Sequence, residues 1–214
     1  MSWVPLNAAL GRRLLPLFLR IKVSANQVTL LSLAAGTCGA ALFLWGGRGG
    51  SVAGAVAFLI ANVLDECDGS LARSTGTSSD FGCWLDTVVG CWIHVSFFAA
   101  LGVVLSRQFG QPLWGMLGGW TAFGVLVSTS SYVIGQSWIR GREGLKHPDP
   151  PRSGRPDRFE FLKGMLRTDF SIVVLAASLA GLLHWILWGA ALGVFLFWIP
   201  ADLRTIFRLR RAAS

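Results

Sequence analysis

Five stretches free of Asp, Glu, Lys and Arg, at 23–47, 49–64, 87–106, 108–139 and 170–201, dictate what this chain can fold into. A helix needs about 20 apolar residues to cross a bilayer, and inside lipid every backbone polar group must be satisfied within its own segment. The 214 residues are 53% hydrophobic, only 14% charged and include 10 Trp, too apolar a composition for a soluble domain of this size. The expected fold is all-α, a polytopic membrane protein.

Two of the runs, 23–47 and 87–106, fit one span each, and 108–139 holds another. The 49–64 run is short, so its helix must continue into the acidic residues that follow. The run 170–201 would measure about 48 Å as one helix, too long for one span and slightly short for two. Charge resolves the count. Of 19 Lys and Arg, only Arg48 and Arg107 fall in the loops after the first and third spans. The others lie in the N-terminal segment, beside the acidic motif at Arg73, in 140–167 and in the tail. The positive-inside rule places both termini, the motif and the 140–167 loop in the cytoplasm, here of a bacterial cytoplasmic membrane. An even number of spans follows, so 170–201 should divide near Gly181–His184. Six transmembrane helices are expected. The net charge of +8 then reports topology and contact with anionic membrane lipid, with no need for nucleic acid.

Residues 1–22 read as an interfacial amphipathic helix containing Pro16, followed by a six-helix unit over 23–208 and a basic tail at 209–214. Ser24, Ala25, Asn26 and Gln27 supply a helix start. The second span should run from about 51 to 73, the third from near Asp80 as its cap, and the fourth over about 112–136. Residues 140–160, with four prolines, read as an irregular loop, and the fifth helix should begin near Phe159. Gly50 and Gly54 have the spacing for close helix packing. Trp3, Trp45, Trp114, Trp138 and Trp185 are expected at the interfaces. Cys38, Cys67, Cys83 and Cys91 lack paired spacing and read as small packing residues.

The chemistry is concentrated in Asp65-Glu66-Cys67-Asp68-Gly69-Ser70-Leu71-Ala72-Arg73, followed by Gly82 and Asp86. A carboxylate near the bilayer core costs roughly 2.5–3.5 kcal/mol on insertion scales, so three of them should line a polar cavity. Asp65 and Asp68, three apart, share a helix face, and Asp86 lies on the next helix. Convergence of the three would make a hard-oxygen site for Mg²⁺, Mn²⁺ or Ca²⁺ against a phosphate. Gly69 would let a nucleotide approach the backbone, and Arg73 could clamp phosphate. Glu66, turned about 100° from Asp65, is expected outside the ligand set.

The pattern Asp-x2-Asp-Gly-x2-Ala-Arg-x8-Gly-x3-Asp-x3-Asp marks the CDP-alcohol phosphotransferase family, and the chain resembles it from Asp65 through Ala72, Arg73, Gly82 and Asp86. The six-helix layout and Ser24–Thr29 before the first span are similar as well. The resemblance implies transfer of a phosphoalcohol group from a CDP-linked donor, such as CDP-diacylglycerol or a CDP-polyol, to an acceptor alcohol with release of CMP. It implies Asp65, Asp68 and Asp86 as ligands of Mg²⁺ or Mn²⁺, Gly69, Ala72, Arg73 and Gly82 around the donor, and a homodimer. The surroundings of the motif, with Arg167 and Asp169 later, resemble the branch that includes di-myo-inositol-phosphate-phosphate synthases.

One position departs from the family: its last aspartate, the general base, falls where this chain has Gly90. Three explanations follow. His94, one turn deeper on the same face, takes the proton; the acceptor needs no strong base; or the protein binds nucleotide or lipid without turnover. Asp169 either pairs with Arg167 or Lys163 or faces the cavity and orients a polyol acceptor. His147 belongs to a loop, and His184 falls at the outer turn, on the wrong side for this site. A prenyltransferase would need a second acidic motif, and a transporter would show repeats; neither is present in the sequence.

Overall fold

The computed structural model describes residues 5–143 and 169–194, and among these every regular element is a helix. Seven follow one another: α1 (Leu6–Ile21), α2 (Ala25–Trp45), α3 (Gly47–Thr75), α4 (Asp80–Phe109), α5 (Leu113–Glu143), α6 (Phe170–Ala180) and α7 (Leu183–Gly193). By length and composition α2, α3 and α4 can each cross a membrane, while α6 and α7 are shorter apolar helices among the described residues. The expectations for 144–168 and 195–214, which include the proline-rich loop, the start near Phe159, His147 and the basic end, lie outside the described residues.

Local signals place the boundaries. The expected start of α2 is a complete capping box, in which Ser24 Oγ accepts from the Gln27 N–H and the Gln27 side chain accepts from the Ser24 N–H. Gly76 and Gly110, both left-handed, end α3 and α4. The run at 170–201 breaks at Gly181, φ 74°, within the expected division near Gly181–His184. Three details differ from the sequence reading. α3 begins at Gly47, four residues before its expected start. Ser79, not Asp80, caps α4, accepting from the Gly82 N–H at 3.0 Å. The helix α5 extends through Glu143, into the region expected to be irregular.

α2 lies between α3 and α4. It packs along both α3 and α4, which touch each other far less, while α5 lies on α4 and α1 on α3. Close approach comes from small residues. A Cβ on Gly54 would sit 2.8 Å from Gly39 O, so the Gly50/Gly54 spacing does serve packing of α3 on α2. A Cβ on Gly118 would lie 2.6 Å from the Gly102 Cα, which brings the α4 and α5 backbones together. The core between the helices is aromatic: Phe58 stacks on Phe97 at 4.4 Å, and Phe43, Phe98 and Phe170 pack edge-on or tilted around this pair. Trp114, expected at an interface, is buried beside His184, whereas Trp45 and Trp185 are exposed.

Candidate metal centre

The last turns of α3 and the first turns of α4 carry the acidic residues to the same end of the bundle. Asp65, Asp68 and Asp86 each offer an oxygen, and the three ligand atoms lie within 4.8 Å of one another. The convergence predicted from spacing is therefore present, although α2 rather than direct α3–α4 packing sets it. Thr29, one turn into α2, donates its hydroxyl to Asp68 Oδ2, and Asp68 is buried. Asp65 Oδ1 is buried with no hydrogen-bond partner.

Electrostatics decides what this arrangement tolerates. Two unit charges under 5 Å apart repel by roughly 3–4 kcal/mol at an effective dielectric near 20, and here three such pairs coincide. Arg73 does not neutralise them; its Nη2 donates to Ser70 Oγ at 3.3 Å, and Nη1 lies 3.3 Å from where a Gly69 Cβ would stand. A divalent cation among the oxygens would offset the repulsion and satisfy the orphaned Asp65 oxygen. The donor set, all hard carboxylate, fits Mg²⁺ or Mn²⁺.

The remaining predicted site residues fall into two groups. Gly69, Ala72 and Arg73 continue α3 from the cluster toward its exposed end, and Gly82 lies one turn before Asp86. A Cβ on Gly82 would meet Asn26 Oδ1 of α2 at 3.3 Å, so the glycine permits this approach. Gly90 faces open space, with nothing within 4 Å of a built Cβ.

His94 does not join the acidic cluster. Its Nδ1 lies 2.8 Å from Gly90 O of the same helix, and its ring stands edge-on to Phe58 at 5.5 Å. Because a carbonyl only accepts, Nδ1 carries the proton and Nε2 is the acceptor nitrogen. Asp169 is also elsewhere. Both its oxygens accept from α1, Oδ2 from the Leu6 N–H at 3.0 Å and Oδ1 from the Asn7 N–H at 2.9 Å. It binds the first N–H groups of the N-terminal helix, an arrangement reinforced by Asn7 Nδ2 donating to Ser171 Oγ; Lys163 and Arg167, its expected pairing partners, lie outside the described residues.

Three contributors were absent from the sequence reading as site residues: Thr29, Asn26 and Gly11. A Cβ on Gly11 would stand 3.2 Å from Cys67 N and Val63 O, so α1 rests directly on the turn that carries Asp65 and Asp68. Thr29 and Asn26 lie within the Ser24–Thr29 string, whose likeness to the family was the available signal. Nothing in the sequence pointed to Gly11.

Comparison with known proteins agrees with this geometry. A 109-residue stretch is 28% identical to the bifunctional IPC transferase and DIPP synthase of Aquifex aeolicus (strain VF5), covering 51% of this chain. The match spans about a quarter (24%) of that relative's length. The family model for CDP-alcohol phosphatidyltransferase matches residues 22–199, which include all of α2 to α7 and Asp65, Asp68 and Asp86. This chain belongs to the CDP-alcohol phosphatidyltransferase family.

Proposed function

We propose that the protein transfers a phosphoalcohol group from a CDP-linked donor to an acceptor alcohol, releasing CMP, at the Asp65–Asp68–Asp86 cluster. The observation that carries the reading is the meeting of three carboxylates from two helices within 4.8 Å, one of them with an orphaned oxygen. Asp65, Asp68 and Asp86 would hold Mg²⁺ or Mn²⁺, which when bound neutralises the donor diphosphate and polarises the phosphorus under attack. Thr29 fixes the Asp68 carboxylate by its hydroxyl. Gly69 and Gly82 leave room for the cytidine diphosphate along α3 and α4, Ala72 is small enough not to block it, and Arg73 swings from Ser70 to a phosphate oxygen. The acceptor oxygen bonds to the phosphorus that bears the donor alcohol, the bond to the bridging oxygen breaks, and CMP leaves.

The proton of the acceptor hydroxyl needs a destination. In this reading His94 Nε2 receives it, across the space beside Gly90 and through water. The fixed tautomer of His94 and the open volume at Gly90 support this assignment. The motif's surroundings, which resemble the branch that includes di-myo-inositol-phosphate-phosphate synthases, favour a polyol phosphate on the donor or acceptor. Residues 1–22 form an interfacial helix, 23–208 a six-span unit and 209–214 a basic tail, in a homodimer with both termini and the acidic site at the cytoplasmic face of a bacterial membrane. The missing aspartate at Gly90 favours one rival: a family member that binds nucleotide or lipid without turnover.

The test is release of CMP by the purified protein with Mg²⁺ or Mn²⁺, from CDP-diacylglycerol and CDP-polyols, against a panel of acceptor alcohols. Metal-dependent release supports transfer. Nucleotide binding without release under every pairing would favour the rival.

A further inference from the structure

A cavity of about 550 Å³ lies at the end of the bundle opposite the acidic cluster, where α2 ends and α3 begins. Arg48, Arg107, Ser178 and His184 line it together with Gly46 and Gly47. Arg48 and Arg107 are the same two basic residues that break the chain's charge asymmetry, and the fold brings both to one place. The connecting segments 43–52, 105–115 and 178–186 contain no Asp or Glu to neutralise them. α3 starts at this cavity with no side-chain cap, and so does α7. Two helix N-termini add their positive ends to the two guanidinium groups, against the C-terminal ends of α2, α4 and α6, which reach the same cavity.

Capping of helix C-termini accounts for part of this. Arg48 Nη2 donates to Leu179 O at 3.1 Å, and Arg107 Nη1 donates to Leu44 O at 3.3 Å. A guanidinium has five N–H donors, so most of each fork is left over. Capping also gives no reason for Ser178, which is 2% exposed and whose Oγ lacks any hydrogen-bond partner. Two cations, two uncapped N-termini and an orphaned buried hydroxyl around one cavity are the chemistry of an oxyanion site.

The level in the membrane selects the anion. Gly47 and Asp65 are 18 residues apart on one helix, roughly 27 Å along its axis and close to the hydrocarbon thickness of about 30 Å. Trp45 and Trp185, 86% and 65% exposed, mark the same level as an aromatic belt would. We propose that this cavity binds the phosphate of an anionic phospholipid from the leaflet opposite the acidic cluster. The proposal stands whether or not the acidic cluster turns over.

The experiment is thermal melting of the full chain in neutral detergent with phosphatidylglycerol, phosphatidylcholine or inorganic phosphate. Phosphatidylglycerol should raise the melting temperature most, and R48Q/R107Q should weaken its apparent affinity about tenfold or more. Ser178→Ala should weaken it in the same direction while melting like wild type without lipid, and so decides the matter if the double variant does not fold. CMP release should stay unchanged in Ser178→Ala. Equal responses to the two lipids, or a full phosphatidylglycerol response in Ser178→Ala, would overturn the proposal. A response reproduced by inorganic phosphate alone would overturn the assignment to lipid.

Discussion

At the residue scale, the carboxylates do different work within one cluster. Asp68 is held by Thr29, while Asp65 keeps an oxygen with no protein partner. Replacing Asp65, Asp68 or Asp86 singly by Asn should lower metal-dependent CMP release by about a hundredfold or more, because several kcal/mol of charge stabilisation at the diphosphate are lost. Thr29→Val should leave the ligands in place and weaken metal affinity by about 10–100-fold, measured by titration with Mn²⁺. Gly90 permits a sharper test. A side chain there meets nothing within 4 Å, so Gly90→Asp should fold. His94→Ala should cost about 10²–10⁴ in rate, and Gly90→Asp in that background should restore much of it. A His94→Ala enzyme with an undiminished rate removes the histidine from the mechanism. The clustering of the three carboxylates was legible in the sequence because charge inside an apolar run is conspicuous and their spacing follows helix geometry. Thr29 was not legible as their partner, since a threonine among apolar residues is ordinary in a membrane helix.

At the scale of elements, the unexpected feature is the N-terminal helix. Its amphipathic pattern is plain in the sequence, yet that pattern gives no indication that α1 rests on the turn carrying Asp65 and Asp68, or that Asp169 binds its first N–H groups. The bonding partners Asn7 and Asp169 are 162 residues apart, and no local periodicity encodes such a pairing. Asp169→Ala should lose the N-terminal anchoring of α1 and cost about 0.5–2 kcal/mol in stability, seen by denaturant or thermal melting. Gly11→Leu should have a different signature. The added side chain would press on the backbone of 63–67, costing about 1–3 kcal/mol and displacing the metal-bearing turn, so metal affinity should fall together with stability. Helix boundaries were readable to within a few residues wherever a cap or glycine marks them, as at Ser24 and Gly181. The start of α3 at Gly47 was less readable, because the glycine-rich sequence there carries no capping signal.

Along the described bundle the two ends are polar and the middle aromatic: the carboxylates lie at one end with most of the described basic residues, Arg48 and Arg107 lie at the other, and the Phe43–Phe58–Phe97 core separates them. The class of fold was legible because length and hydropathy constrain a bilayer-spanning chain so tightly. The place of α2 between α3 and α4 was not, because hydropathy orders helices along the chain and says nothing of how they pack. The central claim is that α2, α3 and α4 gather three acidic side chains to hold a divalent cation. Electron paramagnetic resonance of Mn²⁺ added to the purified protein tests it most directly. The wild type should bind Mn²⁺ with displacement by Mg²⁺, and D65N/D68N/D86N should leave the ion free in solution while keeping its helical content. Equal Mn²⁺ binding by the triple variant would contradict the account.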